Sequence, residues 1–228
     1  GIASKMEMNL GLALGNSEVT LAELVRAYTS FASGGKLIDP VFILEVRDRS
    51  GRVIAQNVPL LANLDGSEAP SVGQGGDETA ITDESGAELE QIMEKLRSET
   101  EAKQGEELPS DYQLDPVSAY LMTEMLRAVV QEGTGVRVKV LGRPIAGKTG
   151  TTNNLHDAWF VGYSPEVATG VWVGYDSAHS LGTNETGGRT SAPIFIDYMR
   201  HALRDRPVQD FPVPEGVVFA RVDRATGL

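Results

Sequence analysis

Two short strand-forming segments limit the fold of this 228-residue chain more than any other feature. Residues 158–163 and 167–175 are rich in valine and aromatic residues, and Ser164, Pro165 and Glu166 separate them. Segments of this composition on either side of a turn predict a pair of antiparallel β-strands. The residues just before this pair are therefore expected to lie on a sheet and not to open a helix.

Those preceding residues carry the main functional signal. They read Gly147, Lys148, Thr149, Gly150 and Thr151. The lysine supplies positive charge, the two hydroxyls supply directed hydrogen bonds, and Gly150 has no Cβ that would keep a substrate backbone away. The pattern indicates a compact site for an anionic ligand.

One interpretation of this site is a phosphate-binding loop. Residues 142–149 match the G-x-x-x-x-G-K-[ST] motif letter for letter. Such a loop has to open a helix, because the first N–H groups and the dipole of that helix hold the phosphates. Residues 150–154, however, are glycine, threonine and asparagine, which are poor helix formers. A P-loop nucleotide-binding domain is thus the alternative hypothesis.

The other interpretation is the K-T-G element of penicillin-binding proteins and serine β-lactamases, which lies on a strand beside the active-site cleft. Further segments extend the likeness to most of the chain outside residues 62–111; they are residues 9–40, 133–135, 157–163, 170–176 and 186–193. Together these segments resemble the transpeptidase domain of class A penicillin-binding proteins. The resemblance implies an α+β fold of the β-lactamase/transpeptidase type, in which helices pack on an antiparallel sheet.

The nucleophile of that family is missing from the pattern. The family uses a serine in S-x-x-K and a second serine in S-x-N. The chain contains no S-x-N, and its only S-x-x-K runs from Ser33 to Lys36 across two glycines that should end a helix. We therefore expect Ser33 to be a helix C-terminal residue. Residues 1–228 are expected to form the C-terminal part of the domain, incomplete on the N-terminal side and inactive alone.

The resemblance assigns roles to the residues that match the motif. Lys148 would supply the local positive charge and a proton network, and the hydroxyls of Thr149 and Thr151 would bind the substrate carboxylate, with Gly150 leaving room for the substrate. The backbone N–H of Thr151 would be one of two donors to the oxyanion. Simple strand alternation does not bring Lys148 to the side of the two threonines, so the resemblance implies that the lysine reaches in from behind a cleft-edge strand.

The same resemblance implies the reaction and the partners. The complete protein would be a D,D-transpeptidase that acts on D-alanyl-D-alanine stem peptides of peptidoglycan and is acylated by β-lactams. No cofactor is implied. It would work in the periplasm or on the outer face of the bacterial cytoplasmic membrane, and any membrane anchor would belong to an N-terminal segment outside this chain.

Charge is concentrated in one segment. Residues 62–111 contain 14 of the chain's 32 acidic residues but only 3 of its 20 basic residues. This segment therefore carries −11 of the net charge of −12. We expect an exposed linker over residues 62–82 and an acidic helix over about 84–103, together forming an insertion. The near-neutral remainder shows no nucleic-acid footprint. The chain has no cysteine and its three histidines lack metal-ligand spacing, so no metal site is expected.

Two helices have clear sequence signals. The first is predicted over residues 21–33, with Thr20 and Glu23 as its capping box. The second is predicted to begin at Pro116, with Asp115 as its N-cap, and to end at Gly133. The prediction also includes a hairpin of residues 41–46 and 52–55, a helix over about 193–204 and a strand over 217–222.

A few conspicuous residues are assigned structural roles. Asp157 is predicted to form a hydrogen-bonded pair with His156, and residues 187–189 to form a turn, with carboxylate binding by Arg189 as a minor alternative. Four aromatic residues are predicted to lie in the core and not at a ligand: Trp159, Phe160, Trp172 and Tyr175.

Overall fold

The computed structural model describes residues 2–6, 15, 17–57, 108, 111–223 and 226. The chain divides into two compact units, one formed by residues Gly1–Pro40 and Ser110–Leu228 and the other by Val41–Pro109. The predicted linker over residues 62–82 and the predicted acidic helix over 84–103 fall outside the described residues. They stay predictions.

The described part of the Val41–Pro109 unit is a hairpin. Strand β1 (Glu45–Arg47) pairs antiparallel with β2 (Val53–Gln56). The turn between them is held by Asp48, whose carboxylate accepts from the N–H groups of Ser50 and Arg52 at 2.8 and 3.0 Å. Gly51 provides the positive φ of 86° that the turn needs. The predicted hairpin is confirmed, with a shorter first strand.

The other unit is built on a three-stranded antiparallel sheet. Its strands are β3 (Ala146–Thr151), β4 (Asp157–Tyr163) and β5 (Ala168–Gly174), in the spatial order β3-β4-β5. The predicted strand pair is thus β4 and β5. Ser164 closes the turn between them, since its hydroxyl accepts from the N–H of Val167 at 3.1 Å. β4 is the central strand, and β3 and β5 are the edges of the sheet among the described residues.

Three helices pack on this sheet: α1 (Leu21–Ala32), α2 (Pro116–Gln131) and α3 (Gly187–Ala202). The predicted caps of the first two are present. The hydroxyl of Thr20 accepts from the N–H of Glu23 while the Glu23 carboxylate accepts from the N–H of Thr20, and Asp115 accepts from the N–H of Ser118 at 3.0 Å. A 3₁₀ helix, Val136–Leu141, connects α2 to β3.

The core lies on both faces of β4. On one face Phe160 packs against Phe195 of α3, with ring centroids 4.6 Å apart. On the other face Tyr163 packs against Tyr28 of α1, and its hydroxyl shares a 2.9 Å hydrogen bond with Thr123 of α2. Burial raises the pKa of the Tyr163 hydroxyl. α3 therefore covers one face of the sheet, and α1 and α2 cover the other.

The third predicted helix begins earlier than expected. α3 starts at Gly187 and contains Pro193 in its interior, so the prediction that residues 187–189 form a turn is wrong. The sequence suggested that the proline opens the helix, because proline favours first positions. Packing overrides that preference: a Cβ on Gly187 would lie 2.1 Å from the carbonyl oxygen of Trp159, so only glycine brings the helix start this close to the sheet.

Two further expectations fail. Residues 217–222 form no strand, and Val218 and Phe219 are largely exposed. Apolar composition alone does not make a strand, and none of the described strands pairs with these residues. The phosphate-loop interpretation of residues 142–149 is also wrong. Gly142 ends the 3₁₀ helix with φ 65°, and the chain then enters β3, so no helix opens behind the lysine.

Candidate functional site

The side chains of β3 divide between the two faces of the sheet. In the register of the sheet Lys148 lies opposite Val161, and Thr149 lies opposite Phe160. Residues directly opposite each other share a face. Thr149 and Thr151 therefore lie on the face covered by α3, and Lys148 lies on the face of α1 and α2. Lys148 and Thr151 are exposed, and Thr149 is half-buried.

The outer edge of β3 presents backbone groups. The N–H of Thr152 donates to the carbonyl of Asp157 on β4 at 3.1 Å, and the register along β3 is unbroken. Antiparallel strands turn alternate residues toward the partner. Gly150 and Lys148 therefore point their N–H and C=O groups at β4, and Thr149 and Thr151 point theirs away from the sheet.

Lys148 bridges the two sides of this edge. Its Nζ donates to the carbonyl oxygen of Thr149 at 2.8 Å, which is one of the outward-facing backbone groups. The side chain starts on the α1/α2 face and folds around the strand to reach the edge. An ammonium group, two threonine hydroxyls and an outward-facing N–H consequently lie along a single strand edge.

The first turn of α3 orients Thr151. The N–H of Gly187 donates to Thr151 Oγ1 at 3.1 Å. The first N–H groups of a helix have no partner inside the helix and carry the positive end of its dipole. Because the hydroxyl oxygen already accepts this bond, its proton is left to be donated to an anionic ligand.

Thr149 has a hydroxyl partner that the motif did not reveal. Its Oγ1 lies 2.6 Å from Oγ1 of Thr134, in the turn after α2. In the sequence Thr134 stands out only as the centre of a Gly-Thr-Gly triplet, 14 residues before Lys148. That triplet was the one available signal, and it gave no indication of which strand residue Thr134 would meet.

Asp157 anchors the end of β3. Its carboxylate accepts from Trp172 Nε1 at 2.8 Å and from the Thr152 hydroxyl at 3.1 Å. The predicted pairing with His156 is therefore wrong, because the strand turns the carboxylate toward β5. The predicted core position is correct for Phe160, which is buried, and wrong for Trp172 and Tyr175, which are 39% and 58% exposed. Trp159 is half-buried, and the centroid of its ring lies 6.2 Å from that of Trp172.

Ser33 and Lys36 do not form a nucleophile and base. Ser33 is the C-cap of α1, as predicted, and its hydroxyl donates to the carbonyl of Lys36. The Lys36 ammonium bonds to Asp111 at 3.0 Å and lies over the Tyr112 ring. The bond to Asp111 raises the pKa of Lys36, so this lysine is held protonated and cannot accept a proton from Ser33.

The described residues, from 2 to 226 with their gaps, contain no cluster of three or more side chains that could hold a metal ion. None of the described helices is long and apolar enough to cross a membrane.

Comparison with known proteins identifies relatives of this chain. The family model described as penicillin binding protein transpeptidase domain matches residues 4–200. The chain is 36% identical to penicillin-binding protein 1A of Pseudomonas aeruginosa over 230 aligned positions, which cover 98% of the chain and 27% of that relative. It is 40% identical to penicillin-binding protein 1A of Aquifex aeolicus, over 93% of the chain and 22% of that relative.

A solved structure shows the same fold. The crystal structure of penicillin-binding protein 1A from Haemophilus influenzae matches with a TM-score of 0.70 and 28% identity, covering 96% of this chain and 31% of that chain. The present chain thus spans about a quarter of the length of the curated relatives it matches.

Proposed function

The chain belongs to the transpeptidase domain family of class A penicillin-binding proteins, and on that premise we propose that it forms one wall of the acyl-transfer site of a D,D-transpeptidase. The observation that supports this proposal is the arrangement of groups at the outer edge of β3. Lys148, Thr149 and Thr151 place a cation, two hydroxyls and outward-facing backbone groups side by side there. No other strand edge in the described part of the chain combines these groups.

The substrate would bind as an additional strand. A peptidoglycan stem peptide that ends in D-alanyl-D-alanine is an extended chain with its own N–H and C=O groups. The outward-facing groups of Thr149 and Thr151 offer such a chain the hydrogen bonds of a new antiparallel ladder. Gly150 lies between them, and its lack of a side chain lets the peptide approach closely.

The terminal carboxylate would be held by the hydroxyls and the cation. A carboxylate only accepts hydrogen bonds, and bonds to it from charged or well-oriented donors are about twice as strong as neutral ones. Thr151 already accepts from Gly187, so its proton is available to the carboxylate. The Lys148 ammonium adds positive potential at the same edge, which also favours the carboxylate of a β-lactam.

Catalysis would use the backbone of the same strand. When a serine oxygen attacks the penultimate carbonyl, negative charge develops on the carbonyl oxygen, and the outward-facing N–H of Thr151 would stabilise it. The bond to the terminal D-alanine then breaks, and this D-alanine leaves with a proton on its nitrogen. The amine of a neighbouring stem peptide takes the acyl group from the serine, which completes the crosslink and frees the serine.

The nucleophile would come from another part of the complete protein. This chain contains no S-x-N, and the lysine of its one S-x-x-K is engaged by Asp111. Lys148 would lie within the proton path between the S-x-N serine and the departing nitrogen. Such a protein would act in the periplasm, on the outer face of the cytoplasmic membrane, where stem peptides are exposed.

Labelling with fluorescent penicillin tests the proposed function. The complete protein should form a stable covalent adduct on the serine of an S-x-x-K motif outside residues 1–228, identified by peptide mass spectrometry. The chain of 228 residues should form none. A complete protein that penicillin does not label, or an adduct on Ser33, would overturn the proposal.

A further inference from the structure

The hydroxyl contact between Thr134 and Thr149 carries an inference beyond the K-T-G motif. The two Oγ1 atoms are 2.6 Å apart, which is a full O–H···O hydrogen bond. The contact joins the turn after α2 to the strand of the candidate site. Thr134 is exposed, so burial does not explain why its side chain lies there.

The turn that carries Thr134 is fixed on both sides. The N–H groups of Gly133 and Gly135 both donate to the carbonyl of Val129, at 3.0 and 3.1 Å. The carbonyl oxygen of Thr134 lies against the first turn of α3, where a Cβ on Gly188 would come within 2.7 Å of it. Thr134 is therefore held between β3 and the start of α3, and the fixed backbone keeps its hydroxyl close to Thr149.

The direction of the Thr134–Thr149 bond follows from counting protons. A hydroxyl has one proton to donate and two lone pairs that accept. If Thr149 donated to Thr134, it would have no proton left for an anion. If Thr134 donates to Thr149, the proton of Thr149 stays free. A bound carboxylate, which can only accept, selects the second arrangement.

The same logic applies at the next threonine of the strand. Thr151 Oγ1 accepts from the N–H of Gly187, so its proton is free as well. Each threonine of the site is thus supplied with a donor from a neighbouring element, a side chain for Thr149 and a helix N–H for Thr151. Both hydroxyls are prepared to donate to the same kind of ligand.

We propose that Thr134 is a positioning residue that donates its hydroxyl proton to Thr149 and so directs the Thr149 proton to the carboxylate of the bound substrate or β-lactam. This inference rests on the proposed function of the β3 edge. Thr134 itself does not touch the ligand.

The test uses the complete transpeptidase and two ligands that differ only at the carboxylate. The second-order rate constant of acylation would be measured with benzylpenicillin and with its methyl ester, for the parent, Thr134→Val and Thr134→Ser. Valine keeps the shape and loses the hydroxyl, whereas serine keeps the hydroxyl. Thr169→Val is the matched control, because it removes a threonine hydrogen bond, to Met199 Sδ, elsewhere in the same sheet.

With benzylpenicillin, Thr134→Val should lower the rate constant about tenfold, the usual effect of one lost hydrogen bond. The loss should appear in the concentration that gives half-maximal acylation and not in the limiting rate. Thr134→Ser should stay within about twofold of the parent, as should Thr169→Val. With the methyl ester, Thr134→Val and the parent should agree within about twofold, because the carboxylate is gone.

Two results would overturn the inference: an unchanged rate for Thr134→Val with benzylpenicillin, or an equal loss with acid and ester, which would indicate a purely structural effect. Thermal melting checks that each variant is folded, and Thr134→Ala replaces Thr134→Val in the same comparison if valine prevents folding. A parent protein that neither ligand acylates would overturn the proposed function and this inference with it. Acylation of the parent without the Thr134 effect would overturn the inference alone.

Discussion

The two edges of the three-stranded sheet, β3 and β5, differ in polarity. The β3 edge carries Lys148, two threonine hydroxyls and the first turn of α3, all polar and linked by hydrogen bonds. The β5 edge borders a cavity of about 490 Å³. Its lining is mostly apolar: Leu21, Ala168, Thr169, Gly170, Val171, Trp172, Ile194 and Tyr198.

The two edges also differ in what their glycines contact. Glycine occurs at both edges, at Gly150 on β3 and at Gly170 on β5. A Cβ on Gly150 would meet the side chain of Trp159, on the neighbouring strand β4, at 3.0 Å. Around Gly170 the neighbours are the side chains of Val25 and Leu21 on α1. At the β3 edge glycine therefore leaves room for a side chain of the neighbouring strand, and at the β5 edge it leaves room for helix α1.

The largest effect is expected from removing the cation at the β3 edge. Lys148→Ala in the complete protein should slow acylation by penicillin about 10³-fold, because in the proposed site the ammonium would serve both the carboxylate and the developing charge. The melting temperature should hardly change, since Lys148 is exposed. Stopped-flow fluorescence and thermal melts give the two quantities.

Lys139→Ala is the control for Lys148→Ala, since Lys139 is an exposed lysine on the 3₁₀ helix before β3. It should acylate at the parental rate. If Lys148→Ala also kept the parental rate, the β3 edge would be an ordinary strand edge, and the contrast with β5 would have no functional meaning.

A matched pair of glycine substitutions should separate the two edges next. In Gly187→Ala the new Cβ would lie 2.1 Å from the carbonyl oxygen of Trp159, so the start of α3 has to move away from Thr151. In Gly170→Ala the Cβ would meet the Val25 and Leu21 side chains at 2.4 and 2.8 Å. Both variants should lose about 1–3 kcal/mol of unfolding free energy.

Only the variant at the β3 side should lose activity per folded molecule. Gly187→Ala should slow acylation about 10²-fold, because it displaces the donor that orients Thr151, and Gly170→Ala should keep the parental rate. Denaturant titration measures stability, and active-site titration with penicillin corrects the rates for folded protein. Equal losses of rate in both variants would show that the edges are not independent.

A smaller effect is expected from one hydroxyl. Thr151→Ala should lower the acylation rate constant about tenfold, since the carboxylate loses a single donor while the N–H of residue 151 remains in place. Thr151→Ser should restore most of the rate. A loss as large as that of Lys148→Ala would mean that the hydroxyl acts in proton transfer and not in recognition. Thr169→Ala, on β5, serves as the unaffected comparison.

The residues with local causes could be predicted from the sequence. The capping box at Thr20 and Glu23, the cap at Asp115 and the strands β4 and β5 depend on neighbours within a few positions, and each was found. The alternation of Lys148 and Thr149 on β3 follows from the period of a strand. These features need no knowledge of what packs against them.

Three features that the sequence did not predict correctly are decided by a distant residue. α3 begins at Gly187 because glycine alone fits against the carbonyl of Trp159, 28 residues away in sequence. Asp157 turns to Trp172 on the next strand and not to its neighbour His156. Thr134 meets Thr149 only because the turn after α2 lies beside β3. Local sequence patterns do not show which distant residues will be in contact in the folded chain.

The smallest effect is expected from removing the unit that contains the acidic segment. The flanks of the Val41–Pro109 unit meet: the carbonyl of Gly35 accepts from the N–H of Gln113 at 2.9 Å, and Lys36 forms a β-bridge with Tyr112. We propose that the acidic segment is part of an insertion at this point.

Replacing residues 41–109 of the complete protein by a short Gly-Ser link closes a gap whose ends are already close, at little cost in loop entropy. The variant should acylate penicillin within about twofold of the parental rate and should be less acidic on an isoelectric gel. A strong loss of acylation in a variant that still melts cooperatively would show that the removed unit helps to form the cleft, and the contrast between β3 and β5 would then describe only part of the site.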